Sequence, residues 1–184
     1  MLEVLPDILN ELPLIGAGSH RAVYELPNNK VLKVPLMYNT DNGIEPGRPD
    51  PNDPPSSNQN KSELEVYQKC PDGLKYLLCP IVHSFGIGQY TFLIMEKAIS
   101  FSFEYTLELM RKRPQCNYEE LILFYLREHF PESVASIYND TLRLESLLEL
   151  NSVDLMNQPK NWGKLNGRFV YIDYGLVGVK LPRC

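Results

Sequence analysis

The spacing of hydrophobic and polar positions changes near residue 100. Before that point, short apolar runs alternate with turn residues, a pattern typical of antiparallel strands. The predicted strands are 12–15, 22–26, 30–34, 80–85 and 90–95, with one helix, 60–69, among them. After that point, apolar residues recur every three or four positions, as in helices that bury one face. The predicted helices lie within 103–112, 118–130 and 132–150. Strands followed by helices predict an α+β fold, and the first three strands should form a meander.

A proline-rich segment, 35–60, separates the third strand from the helix among the strands. Six prolines together with Asn, Asp, Ser and Gly leave too little apolar surface to order such a segment by itself. We therefore expect a flexible insertion, and a substrate-docking segment is the alternative.

The composition excludes several classes of protein. Apolar residues make up 43% of the 184 residues and charged residues 22%, as in an ordinary globular domain. The net charge is −5 and the longest basic run is 111–113, so no nucleic-acid partner is expected. No signal-like start and no apolar run of the roughly 20 residues needed for a membrane span is seen. The four cysteines are widely spaced, which indicates reduced thiols in the cytoplasm.

Near the end of the sequence, Asn166-Gly167 lies between two apolar runs and predicts a tight hairpin turn. Asn161 precedes the first run and Asp173 follows the second, so the hairpin would bring both to the same end. An amide oxygen and a carboxylate suit Mg²⁺, which takes few protein oxygens and completes its shell with water and phosphate. We therefore predict a magnesium site there.

Gly16-Ala17-Gly18 lies between the first two predicted strands. A dinucleotide-binding glycine loop requires a helix after it, and here Arg21 also occupies the third glycine position. A glycine loop between two strands is instead the arrangement with which kinases cover the phosphates of ATP. An ordinary hairpin loop is the alternative interpretation.

Lys33 lies between Leu32 and Val34 on the third predicted strand, as does the kinase lysine that binds nucleotide phosphates. A solvent-facing lysine is the alternative. In the following helix, Glu63 and Glu65 lie on different faces, so only one can turn towards Lys33. Glu63 is favoured because it is nearer the start of the helix, and Glu65 stays the alternative.

These motifs occur in one order along the chain, which resembles the protein-kinase-like fold over nearly its whole length. Compact kinase-like proteins of bacteriophages are the comparison that its size suggests. The resemblance implies two lobes, 1–98 and 99–184, the second mostly helical and minimal. It also implies ATP and Mg²⁺ as ligands, with Met95 at the gatekeeper position. The nucleotide-binding residues it implies are Gly16, Ala17, Gly18, Ser19, Val23, Lys33, Glu63, Met95, Glu96 and Ala98.

For catalysis, the resemblance implies that Lys33 holds the phosphates, Asn161 and Asp173 hold the metal, and Asp154 accepts the proton of the substrate hydroxyl. The sequence departs from the family pattern here. Asp154 and Asn161 are seven positions apart, where the family has five, and no His-Arg pair precedes Asp154. Only nine residues follow Gly175, so the activation loop and the peptide-docking helices have no counterpart in this sequence.

The expected function is an ATP- and Mg²⁺-dependent phosphotransferase acting on Ser/Thr hydroxyls of a protein, or on itself. The alternative is a pseudokinase, a nucleotide-binding interaction module that modulates a host or cellular protein. A kinase of small molecules resembling aminoglycoside phosphotransferases, or a nucleotidyltransferase, is ranked third. The expected location is the cytoplasm, that of the host if the chain comes from a phage, and the oligomeric state is left open.

Overall fold

The chain has an α+β fold, as its sequence predicts. The computed structural model describes residues 9–17, 21–39, 43–46, 59–87, 90–100, 108, 111, 118–148 and 161–174. The strands in these ranges are β1 (Leu14–Ala17), β2 (Arg21–Leu26), β3 (Lys30–Asn39), β4 (Gly43–Pro46), β5 (Ile81–Ile87), β6 (Tyr90–Glu96), β7 (Ile99–Ser100), β8 (Trp162–Leu165) and β9 (Arg168–Tyr171). The α-helices in these ranges are α1 (Gln59–Lys69), α2 (Tyr118–His129) and α3 (Val134–Leu148).

The contacts of the chain divide it into two compact units. The first comprises the described residues of Met1–Glu65 and Pro80–Lys97, and the second those of Val66–Cys79 and Ala98–Cys184. One boundary therefore falls within α1. The division of the chain into lobes 1–98 and 99–184 stays a prediction.

The sheet of the first unit has the strand order β1-β2-β3-β6-β5, and all neighbours are antiparallel. The meander predicted for the first three strands is confirmed. The turn between β2 and β3 places Asn28 and Asn29 at φ of 60° and 58°. Asparagine tolerates this left-handed region better than most residues, which explains its use here.

The two faces of this sheet differ in chemistry because successive side chains of a strand point to opposite sides. Ala22 and Tyr24 of β2 pair with Val34 and Leu32 of β3. These four residues share one face and belong to an apolar cluster formed by Leu9, Ala22, Tyr24, Leu32, Val34, Tyr90 and Phe92. The intervening residues of β2 and β3, which include Arg21 and Lys33, therefore point to the other face.

Part of the segment expected to be a flexible insertion is a strand pair. β3 continues to Asn39 and pairs with β4, so Leu36 lies opposite Pro46 and Asn39 opposite Gly43. The short apolar stretch 36–38, followed by turn-forming residues that end in Gly43, is the local signal for this hairpin. The hairpin was not predicted because the average composition of 35–60 is rich in proline. Apart from Pro35, however, the prolines lie at and after Pro46.

In the second unit, β8 and β9 form the predicted hairpin, and β7 pairs with β8. The turn has Asn166 at φ 49° and Gly167 at φ 84°, both in the left-handed region, as an Asn-Gly turn requires. Aromatic side chains fill the core beneath it, and Trp162 and Tyr171 are almost fully buried.

α2 and α3 confirm the second and third predicted helices of the later part of the chain. A short 3-10 turn, Pro131–Ser133, precedes α3, because proline suits the start of a helix. The helix predicted within 103–112 lies outside the described residues, apart from Glu108 and Arg111.

Within the described ranges, no helix is long and apolar enough to cross a membrane. Cys70 and Cys79 are buried and form no disulfide, while Cys116 and Cys184 lie outside those ranges.

The turn of the β8–β9 hairpin yields a prediction on stability. Gly167→Ala places a Cβ atom at φ 84°, so we expect it to lower the free energy of unfolding by about 1 kcal/mol. Gly73→Ala is the control, because a Cβ there meets no atom of the described residues within 4 Å and its φ lies outside the left-handed region. It should be neutral or slightly stabilising. Urea denaturation of both variants makes the comparison, and equal losses would contradict the turn geometry.

Candidate functional site

The first unit contains a buried ion pair between β3 and α1. The ammonium nitrogen of Lys33 lies 2.8 Å from both carboxylate oxygens of Glu63. Lys33 is 5% exposed and Glu63 is fully buried. The partner that the sequence favoured is thus the one observed, and Glu65 is exposed.

Helical spacing explains why Glu63 reaches the sheet. Asn60, Glu63, Val66 and Cys70 are the buried residues of this region, three or four positions apart. Hydrophobic spacing in the sequence predicts Leu64 and Tyr67 on the buried side, with Val66 as a further candidate; Val66 is buried, but Leu64 and Tyr67 are only partly buried. The helix is rotated from that expectation because its buried face carries two polar residues, which hydrophobic periodicity cannot identify.

Arg21 is a second cation at the same carboxylate. It is 5% exposed, and its Nη1 atom donates hydrogen bonds to Oε2 of Glu63 and, over 3.2 Å, to Oδ1 of Asn60. The sequence noted Arg21 only as a replacement of the third glycine of the loop. The alternation of side chains along β2 could have identified Arg21 as a neighbour of Lys33. It places Arg21 on the same face as Val23, and Val23 pairs with Lys33.

Asn60 links the start of α1 to two strands. Its Nδ2 atom donates to the carbonyls of Lys33 on β3 and Thr91 on β6, each over 2.9 Å. The pairing of β3 with β6 ends at Lys33 and Leu93, and the same register would put Pro35 opposite Thr91. Because proline has no N–H, the asparagine amide supplies a donor that β3 cannot.

The charges of this cluster depend on each other. A buried carboxylate is stable only where cations and hydrogen bonds replace its water shell. Glu63 obtains both from Lys33 and Arg21, which lie on different strands. The cluster Arg21, Lys33, Asn60 and Glu63 is called the Glu63 cluster below.

Only the first two residues of the predicted glycine loop belong to the part of the chain that the structure describes. Gly16 and Ala17 belong to β1, and Gly16 pairs with Val23, which in turn pairs with Lys33. Among the described residues, a Cβ atom on Gly16 would come within 4 Å only of the side chain of Val23, at 3.9 Å. Gly18 and Ser19 lie outside the described residues.

The predicted adenine contacts lie at the end of β6 and just after it. Met95 is 1% exposed, so it belongs to the core of the first unit. The N–H of Glu96 donates to the carbonyl of Pro80 over 3.0 Å, so this N–H is not available to an adenine. Ala98 begins the second segment of the other unit.

In the second unit, the predicted metal ligands occupy the open end of the β8–β9 hairpin. Asn161 comes directly before β8 and is 2% exposed. Its carbonyl accepts the N–H of Ile172 over 2.7 Å, and Asp173 follows as the next residue. Asp173 is partly exposed, with its Oδ1 atom shielded from solvent.

These two side chains suit a hard cation by their chemistry, since both offer oxygen atoms.

Gly163 allows Ala98 to pack closely on the hairpin, because a Cβ there would lie 3.1 Å from that of Ala98 and 2.8 Å from Ile172. In the described part of the chain, no three His, Cys, Asp or Glu side chains gather as a metal site. Asp154, the predicted base, lies outside that part.

The chain matches no protein-family model, and no similar sequence was found among curated proteins. The kinase-like interpretation therefore depends on the residues themselves.

The Glu63 cluster predicts a large difference between two glutamates of one helix. Glu63→Gln leaves two buried cations without the carboxylate that both contact, so unfolding free energy should fall by about 3–5 kcal/mol. Glu65→Gln changes an exposed side chain and should cost less than about 1 kcal/mol. Chemical denaturation of both variants tests this, and a loss below 1 kcal/mol for Glu63→Gln would contradict it.

Proposed function

We propose that the chain is a kinase-like phosphotransferase that uses ATP and Mg²⁺, with the two-lobed protein-kinase-like fold that its motifs resemble. The observation that carries the proposal is the buried pair of Lys33 and Glu63, on the third strand and the following helix. Protein kinases use a lysine and a glutamate in these two places to hold the α- and β-phosphates. The order of the elements and the position of Gly16 in β1 support the same interpretation.

In the first unit, Lys33 would donate to the α- and β-phosphates, and Glu63 would keep its ammonium group in place. Gly16 and Ala17 of β1, together with Gly18 and Ser19, would cover the phosphates with backbone N–H groups, which glycine allows to approach closely. Val23 pairs with both Gly16 and Lys33, so it would line the same face.

In the second unit, Asn161 and Asp173 would hold Mg²⁺ through their side-chain oxygens. The bound ion would neutralise charge on the phosphates during transfer. The β8–β9 hairpin would keep both ligands at one end, since Ile172 is hydrogen-bonded to Asn161.

The transfer step would use a protein hydroxyl as acceptor. Its oxygen would bond to the γ-phosphorus while the bond from that phosphorus to the β–γ bridging oxygen breaks, and ADP would leave. Asp154 would accept the proton of the hydroxyl. Positioning and charge neutralisation contribute most of the acceleration in such reactions.

The second candidate is a pseudokinase that binds nucleotide without transfer and acts through a partner protein. Two observations favour it over an active kinase. Arg21 occupies the third glycine position and contacts Glu63, and Asp154 is two positions further from Asn161 than in the family pattern. Both candidates share the nucleotide site and differ only in the transfer step.

Nucleotide binding is tested by thermal unfolding with ATP and Mg²⁺. At 100 times the dissociation constant, a bound nucleotide adds about 2.7 kcal/mol to the free energy of unfolding. Lys33→Met should abolish the increase, yet it should fold, because Arg21 still contacts Glu63. Lys61→Met, at an exposed position of α1, is the matched control and should keep the increase. No increase for the unmodified chain, or an equal increase for Lys33→Met, would refute the proposed nucleotide site.

Transfer is tested with γ-labelled ATP, the chain itself and a mixture of Ser/Thr-containing peptides. If the chain is a kinase, Asp154→Asn should abolish labelling and keep nucleotide binding, and Asp173→Asn should weaken both when Mg²⁺ is limiting. Asp72→Asn, at a fully exposed side chain, is the matched control. Binding without any labelling favours the pseudokinase, and equal labelling of Asp154→Asn contradicts the assigned base.

A further inference from the structure

Two members of the Glu63 cluster, Arg21 and Asn60, have no part in the nucleotide site proposed above. Asn60 is 1% exposed and Arg21 is 5% exposed, so neither is a surface side chain. Both make hydrogen bonds within the Glu63 cluster. Arg21 donates to Asn60 and to Glu63, and Asn60 donates to the backbone of Lys33.

These contacts form a closed circuit. Lys33 binds Glu63 through its ammonium group, Glu63 binds Arg21, Arg21 binds Asn60, and Asn60 returns to the carbonyl of Lys33. A further bond from Asn60 to the carbonyl of Thr91 adds a third strand, β6. The first turns of α1 are therefore attached to β2, β3 and β6 at once.

The circuit requires the local geometry of both elements. Asn60 and Glu63 are three positions apart on α1, so they lie on one face, and a single guanidinium can reach both. Arg21 lies on the same sheet face as Lys33 because Arg21 and Val23 alternate with Ala22, and Val23 pairs with Lys33.

Moving the start of α1 away from the sheet would break this circuit within the protein interior. The carboxylate and the amide of Asn60 would lose their partners together, which is unfavourable for buried polar groups. A conformational switch instead needs two arrangements of similar free energy. The described contacts strongly favour one.

We propose that Arg21 and Asn60 are positioning residues that hold Glu63 on Lys33 before any nucleotide binds, so that α1 is a fixed element and not a switch. We call Arg21 and Asn60 in this role the clamp. Its part in nucleotide binding rests on the function proposed above. The clamp itself concerns only contacts within the first unit.

The experiment is amide hydrogen exchange of the nucleotide-free chain, read in peptides that cover α1 and, as an internal reference, β6. Nucleotide binding slows exchange of α1 and β6 alike through overall stability, so the α1 exchange rate relative to β6 should change less than about twofold when ATP and Mg²⁺ are added. Arg21→Met should raise the α1 exchange rate about tenfold or more relative to β6. Arg21→Lys keeps the charge and one contact, so it should restore part of the protection. Arg143→Met, at an exposed position of α3, is the matched control and should change nothing in α1.

A double-mutant comparison separates positioning from general stability. If Arg21 acts through Glu63, Arg21→Met should add little to the exchange of α1 in the Glu63→Gln background, whereas independent effects would add. Asn60→Ala removes both Nδ2 bonds and gives a second route to the same loss of protection, should Arg21→Met fail to fold.

Two results would overturn the clamp. One is α1 exchange in Arg21→Met and Asn60→Ala that stays equal to that of the unmodified chain relative to β6. The other is protection of α1 that rises tenfold or more relative to β6 in the unmodified chain on adding nucleotide, since that is the behaviour of a switch. If the unmodified chain binds no ATP, the proposed function fails while the nucleotide-free comparison still decides the clamp.

Nucleotide affinity gives the functional readout in the same variants. If Arg21→Met leaves only a fraction of molecules with Glu63 on Lys33, the apparent dissociation constant for ATP should rise in inverse proportion to that fraction. Arg21→Lys should recover part of the affinity. Unchanged affinity in a variant whose α1 has lost protection would contradict the link between the clamp and the nucleotide site.

Discussion

The buried carboxylate of Glu63 is the constraint on which the first unit depends. Taking such a charge out of water is unfavourable unless cations and hydrogen bonds replace the lost hydration. Lys33 supplies one cation from β3 and Arg21 another from β2. Because the carboxylate is on α1, satisfying its charge also determines where that helix begins on the sheet.

The two faces of the sheet in the first unit have different roles. One face carries the apolar cluster that includes Tyr24, Val34 and Phe92, which provides hydrophobic burial. The other face carries Arg21 and Lys33, which take part in charge pairing. Strand alternation alone produces this separation, so a strand register shifted by one residue would exchange the faces and lose both.

The sequence predicted the features that depend on local pattern. The strands other than β4 and β7 and two of the later helices follow from periodicity, and the turn at Asn166-Gly167 follows from its need for positive φ. The pairing of Lys33 with Glu63 was also expected, because Lys33 resembles the kinase lysine on its strand and Glu63 lies near the start of the following helix.

The features that were missed depend on contacts between distant segments. Arg21 follows a polar loop and would ordinarily be assigned to the surface; only its register with β3 shows that it faces Lys33. The role of Asn60 depends on where the pairing of β3 with β6 ends, which no local pattern indicates. β4 was missed because a proline-rich average concealed a short strand signal.

The most direct measurement of the central claim is a crystal structure of the chain with a non-hydrolysable ATP analogue and Mg²⁺. We expect α- and β-phosphate oxygens within hydrogen-bond distance of the Lys33 ammonium group, while Lys33 keeps its contact with Glu63. Phosphates bound away from Lys33, or a Lys33 that leaves Glu63 to face solvent, would contradict the account.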